Sequence, residues 1–259
     1  MITNNKKLVK TALEIQKMQA AGRLNALVLA EVRKLIKPGV TTSQLDEAAE
    51  MVIRDHGGIP TFKGYPGPYP YPATLTISIN EEMVHGIPSG RKLKEGDIVS
   101  VDCGTTLDGF IGDSAFTVGV GEIGQKEERL IEVTQESLYQ GIDQMRPGKH
   151  VGDVGAAIQK HVEAAGFHVP RQYTGHGVGR EMHEPPQVPN FGTPGQGMLL
   201  QEGMTIAIEP MVLVGTPHTK VLADQWTVIS ADHSLTAHYE HTVAVTANGP
   251  LILTQREER

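Results

Sequence analysis

The ten residues LKEGDIVSVD, Leu93 to Asp102, return 107 positions later as LQEGMTIAIE, Leu200 to Glu209. Three positions are identical, two exchange Val for Ile, and an acid closes both copies. The echo extends upstream: Pro38-Gly39 recurs 109 positions on as Pro147-Gly148, and Gly57 recurs at that interval as Gly166. Matches in this order point to a duplicated helix-helix-strand unit, because self-similarity at a fixed period reports a repeated supersecondary structure. The chain is therefore expected to be one domain over 1–259, with internal halves at about 11–120 and 125–250. Two such halves would face each other across a pseudo-two-fold axis, with a site between them. The echo also pairs Asp102 with Glu209.

Helical patterns fill the rest of each half. Residues about 11–37 carry Leu24, Val28, Val32 and Leu35 on one stripe and stop at Pro38-Gly39. A second helix begins within Thr41-Thr42-Ser43, where Thr41 with Gln44 fits a capping box and Ser43 is the alternative cap. It ends at Gly57-Gly58. In the second half, residues about 125–145 repeat the stripe with Leu130, Val133, Leu138 and Ile142, and a further helix runs from about Val151 to Ala165. With β-rich runs between them, the class is α+β.

A chain of 259 residues, 39% hydrophobic, is long enough to bury a sizeable core. A formal charge of −7 argues against a protein built to grip nucleic-acid phosphates. The adjacent lysines near the N-terminus precede no apolar core, so no signal peptide is read there. No run approaches the roughly 18 apolar residues of a membrane span. The single cysteine, Cys103, rules out an internal disulfide and fits a reducing compartment. The expectation is a soluble cytoplasmic protein with no membrane and no specific nucleic-acid partner.

In IVSVDCGTTLDGFIGDSAFTV, Ile98 to Val118, two β-rich runs flank Leu107-Asp108-Gly109, a hairpin signal. Centring the turn on Leu107-Asp108 sets Asp102 opposite Asp113; centring it on Asp108-Gly109 sets Gly104 there instead. Either way the period of two puts both carboxylates on one face. Val99, Val101, Phe110, Ile111 and Phe116 read as a sheet covered on both sides, and Cys103 as core on the other face. Buried like charges are destabilising unless a proton or cation sits between them.

Further donors lie downstream. Glu209 closes the run MTIAIE before Pro210, and Glu240 interrupts the run AHYEHTVAVT. The stretch TGHGVGREMHE holds His176 and His183 among three glycines that argue against a helix, so it reads as strand or loop. Four carboxylates and one imidazole, His176, carry too much negative charge for one metal and suit two hard-to-borderline divalent cations.

With these residues in place, the chain resembles the type I methionine aminopeptidases from about residue 11 to 253. The segments that carry the resemblance are NEEMVHGIPS, VDCGTTLDGFIGD, TGHGVGREMHEPP, AIEPM and YEHTVAVT, in that order. The resemblance implies a pita-bread fold, two pseudo-symmetric helix-helix-strand halves around a central antiparallel sheet. It implies that Asp102, Asp113, His176, Glu209 and Glu240 hold two divalent metal ions (Mn, Fe, Co or Zn), with Asp113 and Glu240 bridging. It implies hydrolysis of the N-terminal peptide bond by a metal-acidified water, with Glu209 as proton shuttle. His183 would bond the carbonyl oxygen and His85 the scissile nitrogen.

For the side-chain pocket the resemblance points to the stretch TFKGYPGPYPYP with Tyr65 and Tyr71, and to Thr76, Met182 and Trp226. The stretch is longer by a few residues than is typical. Thr76 stands where cysteine is frequent, and Met182 where phenylalanine is. The implied partners are the N-terminal methionine of peptides and nascent chains and, with them, the ribosome; a monomer is expected. Two rivals share the fold: proline-specific peptidases, which usually carry a further N-terminal domain, and non-catalytic binding modules, which lose the metal ligands.

Overall fold

The computed structural model describes residues 8–256; the first seven residues, part of the stretch read above for a leader, lie outside them. Among the described residues the helices are α1 (Ala12–Leu35), α2 (Thr42–Asp55), α3 (Gln125–Ile142) and α4 (Val151–Ala164). The capping box at Thr41 forms as read: its hydroxyl accepts from the Gln44 N–H, and the Gln44 side chain returns to the Thr41 N–H. Thr11 and Glu14 make the same box at the head of α1. Helices α1 and α3 end a few residues earlier than their periodicity suggests. At α1 the extended backbone of Ile36, two residues ahead of Pro38, ends the helix. Past α3, Asp143 keeps right-handed helical geometry, and the Gln144 and Met145 N–H groups bond Gly141 and Ile142 three residues back as the chain tightens before Pro147.

The strands are β1 (Ile59–Pro60), β2 (Leu75–Ile79), β3 (Glu82–Val84), β4 (Ile98–Leu107), β5 (Phe110–Gly119), β6 (Thr174–Gly177) and β7 (Glu184–Pro189). They continue with β8 (Thr205–Ile208), β9 (Met211–Leu213), β10 (Thr219–Val221), β11 (Val228–Ser230), β12 (Thr236–His238), β13 (Glu240–Thr246) and β14 (Gly249–Ile252). The main antiparallel sheet has the order β1-β4-β5-β13-β8-β6-β7, with β2 also on β4 and β14 on β13. Two small sheets, β10-β11-β3 and β12-β9, flank it.

That order runs outward identically from a central seam, β5-β4-β2 on one side and β13-β8-β6 on the other. Local bonds repeat with it. Gly39 N–H donates to the Leu93 carbonyl at 2.8 Å, and Gly148 N–H to that of Leu200 at 3.1 Å. Leu93 N–H donates to Val40 at 2.8 Å, and Leu200 N–H to Lys149 at 2.7 Å. The cap residues Thr41 and His150 bridge to Lys92 and Leu199.

The helices cover one face of the sheet. Val28 and Val32 of α1, Leu45 of α2, Leu130 of α3 and Ile158 of α4 share a buried cluster with Val99, Val101 and Cys103. Helix α1 lies almost on the backbone of the β4–β5 hairpin: a Cβ added to Gly112 would come within 2.7 Å of Gly22. Odd-numbered residues of β4 and even-numbered residues of β5 therefore face the helices, and Asp102 and Asp113 face away from them. Among the described residues no helix is long and apolar enough to cross a membrane.

Candidate active site

The hairpin takes the second of the two registers. Asp108 and Gly109 form the turn, with φ of 49° and 76°, the pair of left-handed residues that a two-residue hairpin loop requires. Asp113 thus opposes Gly104, and Asp102 opposes Ala115. The two carboxylates are diagonal neighbours on one face, 9% and 1% exposed. Behind them Asn25 of α1 donates to the carbonyls of Cys103 and Gly112 and accepts from Ser114, pinning both arms of the hairpin at the level of the acids.

The run Ala237 to Thr246 is not a single strand, as its text implied. It breaks at Tyr239, so that β12 pairs β9 and β13 joins the main sheet beside β5 and β8. The break places Glu240 at the head of β13, opposite Ala115 and 2% exposed. Glu209 follows β8 at an unpaired Glu-Pro step, its carbonyl held by the Asn190 side-chain amide at 2.9 Å.

His176 sits on β6, and its Nδ1 bonds the Gly177 carbonyl at 3.0 Å. A carbonyl only accepts, so Nδ1 carries the proton and Nε2 is left as a bare lone pair. That nitrogen points at the acids, 3.7 Å from Asp113 Oδ2 and 3.5 Å from Glu209 Oε1. Asp113, His176 and Glu240 each offer one ligand atom, and the three atoms lie within 4.8 Å of one another.

The electrostatics match this crowding. Burial, with the neighbouring carboxylates, pushes the Asp102, Glu209 and Glu240 carboxyls well up. Burial raises Asp113 to about 7, against a lowering bond with Glu240. Burial, followed by the charge of His183, pulls His176 down to about 3. One oxygen each of Asp102, Asp113 and Glu240 is buried without a hydrogen-bond partner. Bare acceptors aimed at one another, with a bare imidazole nitrogen among them, are what a divalent cation satisfies, and the oxygen-rich donor set fits one.

The five donors form one end of a cavity of about 130 Å³. His85, His183, Tyr65, Tyr71, Thr76, Met182 and Trp226 line the remainder, together with Phe62, which the sequence reading did not single out. All twelve residues named from sequence therefore reach one cavity. His85 has a strained backbone, φ 62°, and the bonds on its neighbour hold it there: the Gly86 carbonyl accepts from Ile77 N–H and from the Tyr71 hydroxyl. His183 stands at the mouth, its Nδ1 2.5 Å from the Tyr65 hydroxyl and its ring 4.3 Å from that of His176. Trp226 is fixed edge-on by Tyr69 and Tyr71. A second residue missed in the sequence is His238, buried behind Glu209 and Glu240. Its signal was present, because His238 and Glu240 are two apart in a β-rich run.

Residues 16–247 match the model of metallopeptidase family M24. The chain is 48% identical to methionine aminopeptidase 1 of Bacillus subtilis, over 96% of this chain and 99% of that protein. It is 50% identical to the methionine aminopeptidase of Clostridium acetobutylicum, over 95% and 98%. The chain belongs to the methionine aminopeptidases of family M24. The M24 fold is equally plain in three dimensions: the crystal structure of methionine aminopeptidase from Thermotoga maritima superposes with a TM-score of 0.93 at 47% identity, covering 96% of this chain and 99% of that one. A prolidase from Pyrococcus furiosus, 22% identical with a TM-score of 0.80, shares the fold alone.

Proposed function

We propose that this protein removes the N-terminal methionine from peptides and nascent chains whose second residue is small. The observation that carries the reading is the convergence of three buried carboxylates, the half-buried Glu209 and a proton-free imidazole nitrogen on one end of a cavity sized for a single side chain. Asp102, Asp113, His176, Glu209 and Glu240 would hold two divalent ions. Two ions suit the charge, since four carboxylates exceed what one divalent cation neutralises. When bound, such ions supply Lewis acidity and a water acidified toward neutral pH.

The chain's own residues do the remainder. Glu209, raised by burial, takes the proton released in attack and returns it to the leaving nitrogen, the task of a carboxylate tuned upward. His183, oriented by Tyr65, hydrogen-bonds the carbonyl oxygen of the first residue, and His85 bonds the scissile nitrogen. The rings of Tyr65, Tyr71 and Trp226 take the thioether, where each sulfur–ring contact adds roughly 0.3–1.5 kcal/mol. The repeated strand order and hydrogen bonds support halves 11–120 and 125–250 as copies of one unit, with the site on their seam.

Release of methionine from Met-Ala-Ser, measured beside cleavage of an Xaa-Pro peptide with and without chelator, tests this reading. Methionine should appear, and chelation should stop it. Preferential cleavage of the Xaa-Pro peptide would assign the proline-specific activity instead.

A further inference from the structure

The buried imidazole of His238 has no part in the scheme above. It closes β12 at 2% exposure, and its Nε2 is buried with no hydrogen-bond partner. That atom lies 3.9 Å from Oε2 of Glu209 and 4.0 Å from Oε2 of Glu240. Glu209 is thus addressed on both sides, Oε1 by His176 at 3.5 Å and Oε2 by His238. The backbone of His238 has little freedom. Its N–H donates to the Thr117 hydroxyl at 2.9 Å, that hydroxyl donates back to its carbonyl at 2.8 Å, and the residue pairs with Met211.

A buried ring nitrogen without a hydrogen-bond partner is costly, and such groups in native proteins serve a role or find a partner in another state. The two glutamates are the acceptors near Nε2, and the gap exceeds a hydrogen bond by about 1 Å. A small rotation of either carboxylate closes it.

We propose that His238 is a positioning residue: its Nε2–H donates to the outer oxygens of Glu209 and Glu240 and so fixes which oxygen each turns toward the metal ions. Groups that hold metal ligands in this way typically set metal affinity by 10–100-fold. The inference rests on the metal reading of the site, and the test separates the two.

Binding of Mn(II) to metal-free protein is measured by titration calorimetry for the wild type, His238→Leu and His238→Gln, with kcat and KM for Met-Ala-Ser and the melting temperature of each metal-free variant. His238→Leu should bind Mn(II) about 10–100-fold more weakly, with kcat falling and KM little changed. It should melt near the wild-type temperature, because an unpaired polar group has been replaced by an apolar one. His238→Gln, whose side-chain amide offers a donor at similar reach, should recover most of the affinity. Wild-type affinity in His238→Leu overturns the proposal, as does a Gln variant no better than Leu. A wild-type protein that binds no Mn(II) would instead defeat the metal reading itself.

Discussion

Thr242 and Asp113 exchange two hydrogen bonds across the seam between the halves. The Asp113 N–H donates to Thr242 Oγ1 at 3.0 Å, and the Thr242 hydroxyl donates to the Asp113 carbonyl at 2.8 Å. The ladder between β5 and β13 otherwise pairs Glu240 with Ala115 and His241 with Ser114. Thr242→Val keeps the shape and leaves the buried Asp113 amide and carbonyl without that partner. We expect a loss of about 1–3 kcal/mol, read as a lower urea midpoint at unchanged slope. Metal affinity should fall as well, because the bond fixes Asp113 relative to Glu240. Unchanged stability would mean the seam is held elsewhere.

The metal-free protein should lose stability as pH rises from about 7.5 to 8.5. His85, near 4, and His176 and His238, near 3, are depressed by burial. Their stabilising contribution is lost as pH falls through the ordinary histidine range, and it is complete only by about pH 7.5. The raised carboxyls act in the opposite sense: the folded state holds protons that the unfolded chain has released, so each further rise through the folded values costs stability. Above about pH 7.5 only this second effect is left. Thermal melts in chelator should drop by a few degrees over that range, about 1 kcal/mol being worth roughly 2–4 °C in a chain of this size. Added metal should reverse the drop, since it binds the deprotonated form. A chelated protein that melts higher at pH 8.5 would contradict the charge arrangement.

The sequence showed a good deal of this because its signals were local or periodic. The two-residue period of β4 and β5 was enough to set Asp102 and Asp113 on one face, and the capping box at Thr41 located the head of α2. Two alternatives for the hairpin turn stayed open because both give the same facing; the pairing of Leu107 with Phe110, with positive φ at Gly109, decides between them. What could not be read was tertiary. The break at Tyr239 sends β12 and β13 into different sheets, which strand propensity cannot foresee. His238 and Phe62 escaped for a related reason: each looks like ordinary core until the neighbouring strand arrives. His85 and the pocket residues came from family resemblance rather than from any periodicity, as a loop carries none.

Tyr65→Phe removes one hydroxyl, the one 2.5 Å from His183 Nδ1. If that bond aims His183 at the carbonyl oxygen, kcat for Met-Ala-Ser should fall about tenfold, the effect of losing ~1.4 kcal/mol in the transition state, while KM changes little. An equal rise in KM at constant kcat would make Tyr65 a pocket wall only.

Gly67 lets the long 61–72 stretch seat directly on Trp226, because a Cβ there would come within 2.4 Å of the indole ring. Gly67→Ala should displace the ring or the loop and widen the slot. We expect kcat/KM for Met-Ala-Ser to drop several-fold and its ratio to Leu-Ala-Ser to narrow, within the roughly 1–3 kcal/mol that apolar pocket contacts supply. A preserved ratio would place methionine selection elsewhere in the cavity.

If five side chains act as one metal centre, Asp113 is the member most surrounded by the others. Activity and metal content of Asp113→Asn, assayed on Met-Ala-Ser at saturating metal, are compared with those of Asp108→Asn at the exposed hairpin turn. Asp108→Asn should keep wild-type activity and metal, while Asp113→Asn should lose activity and most of its bound metal. Full activity in Asp113→Asn at saturating metal would contradict the shared metal centre.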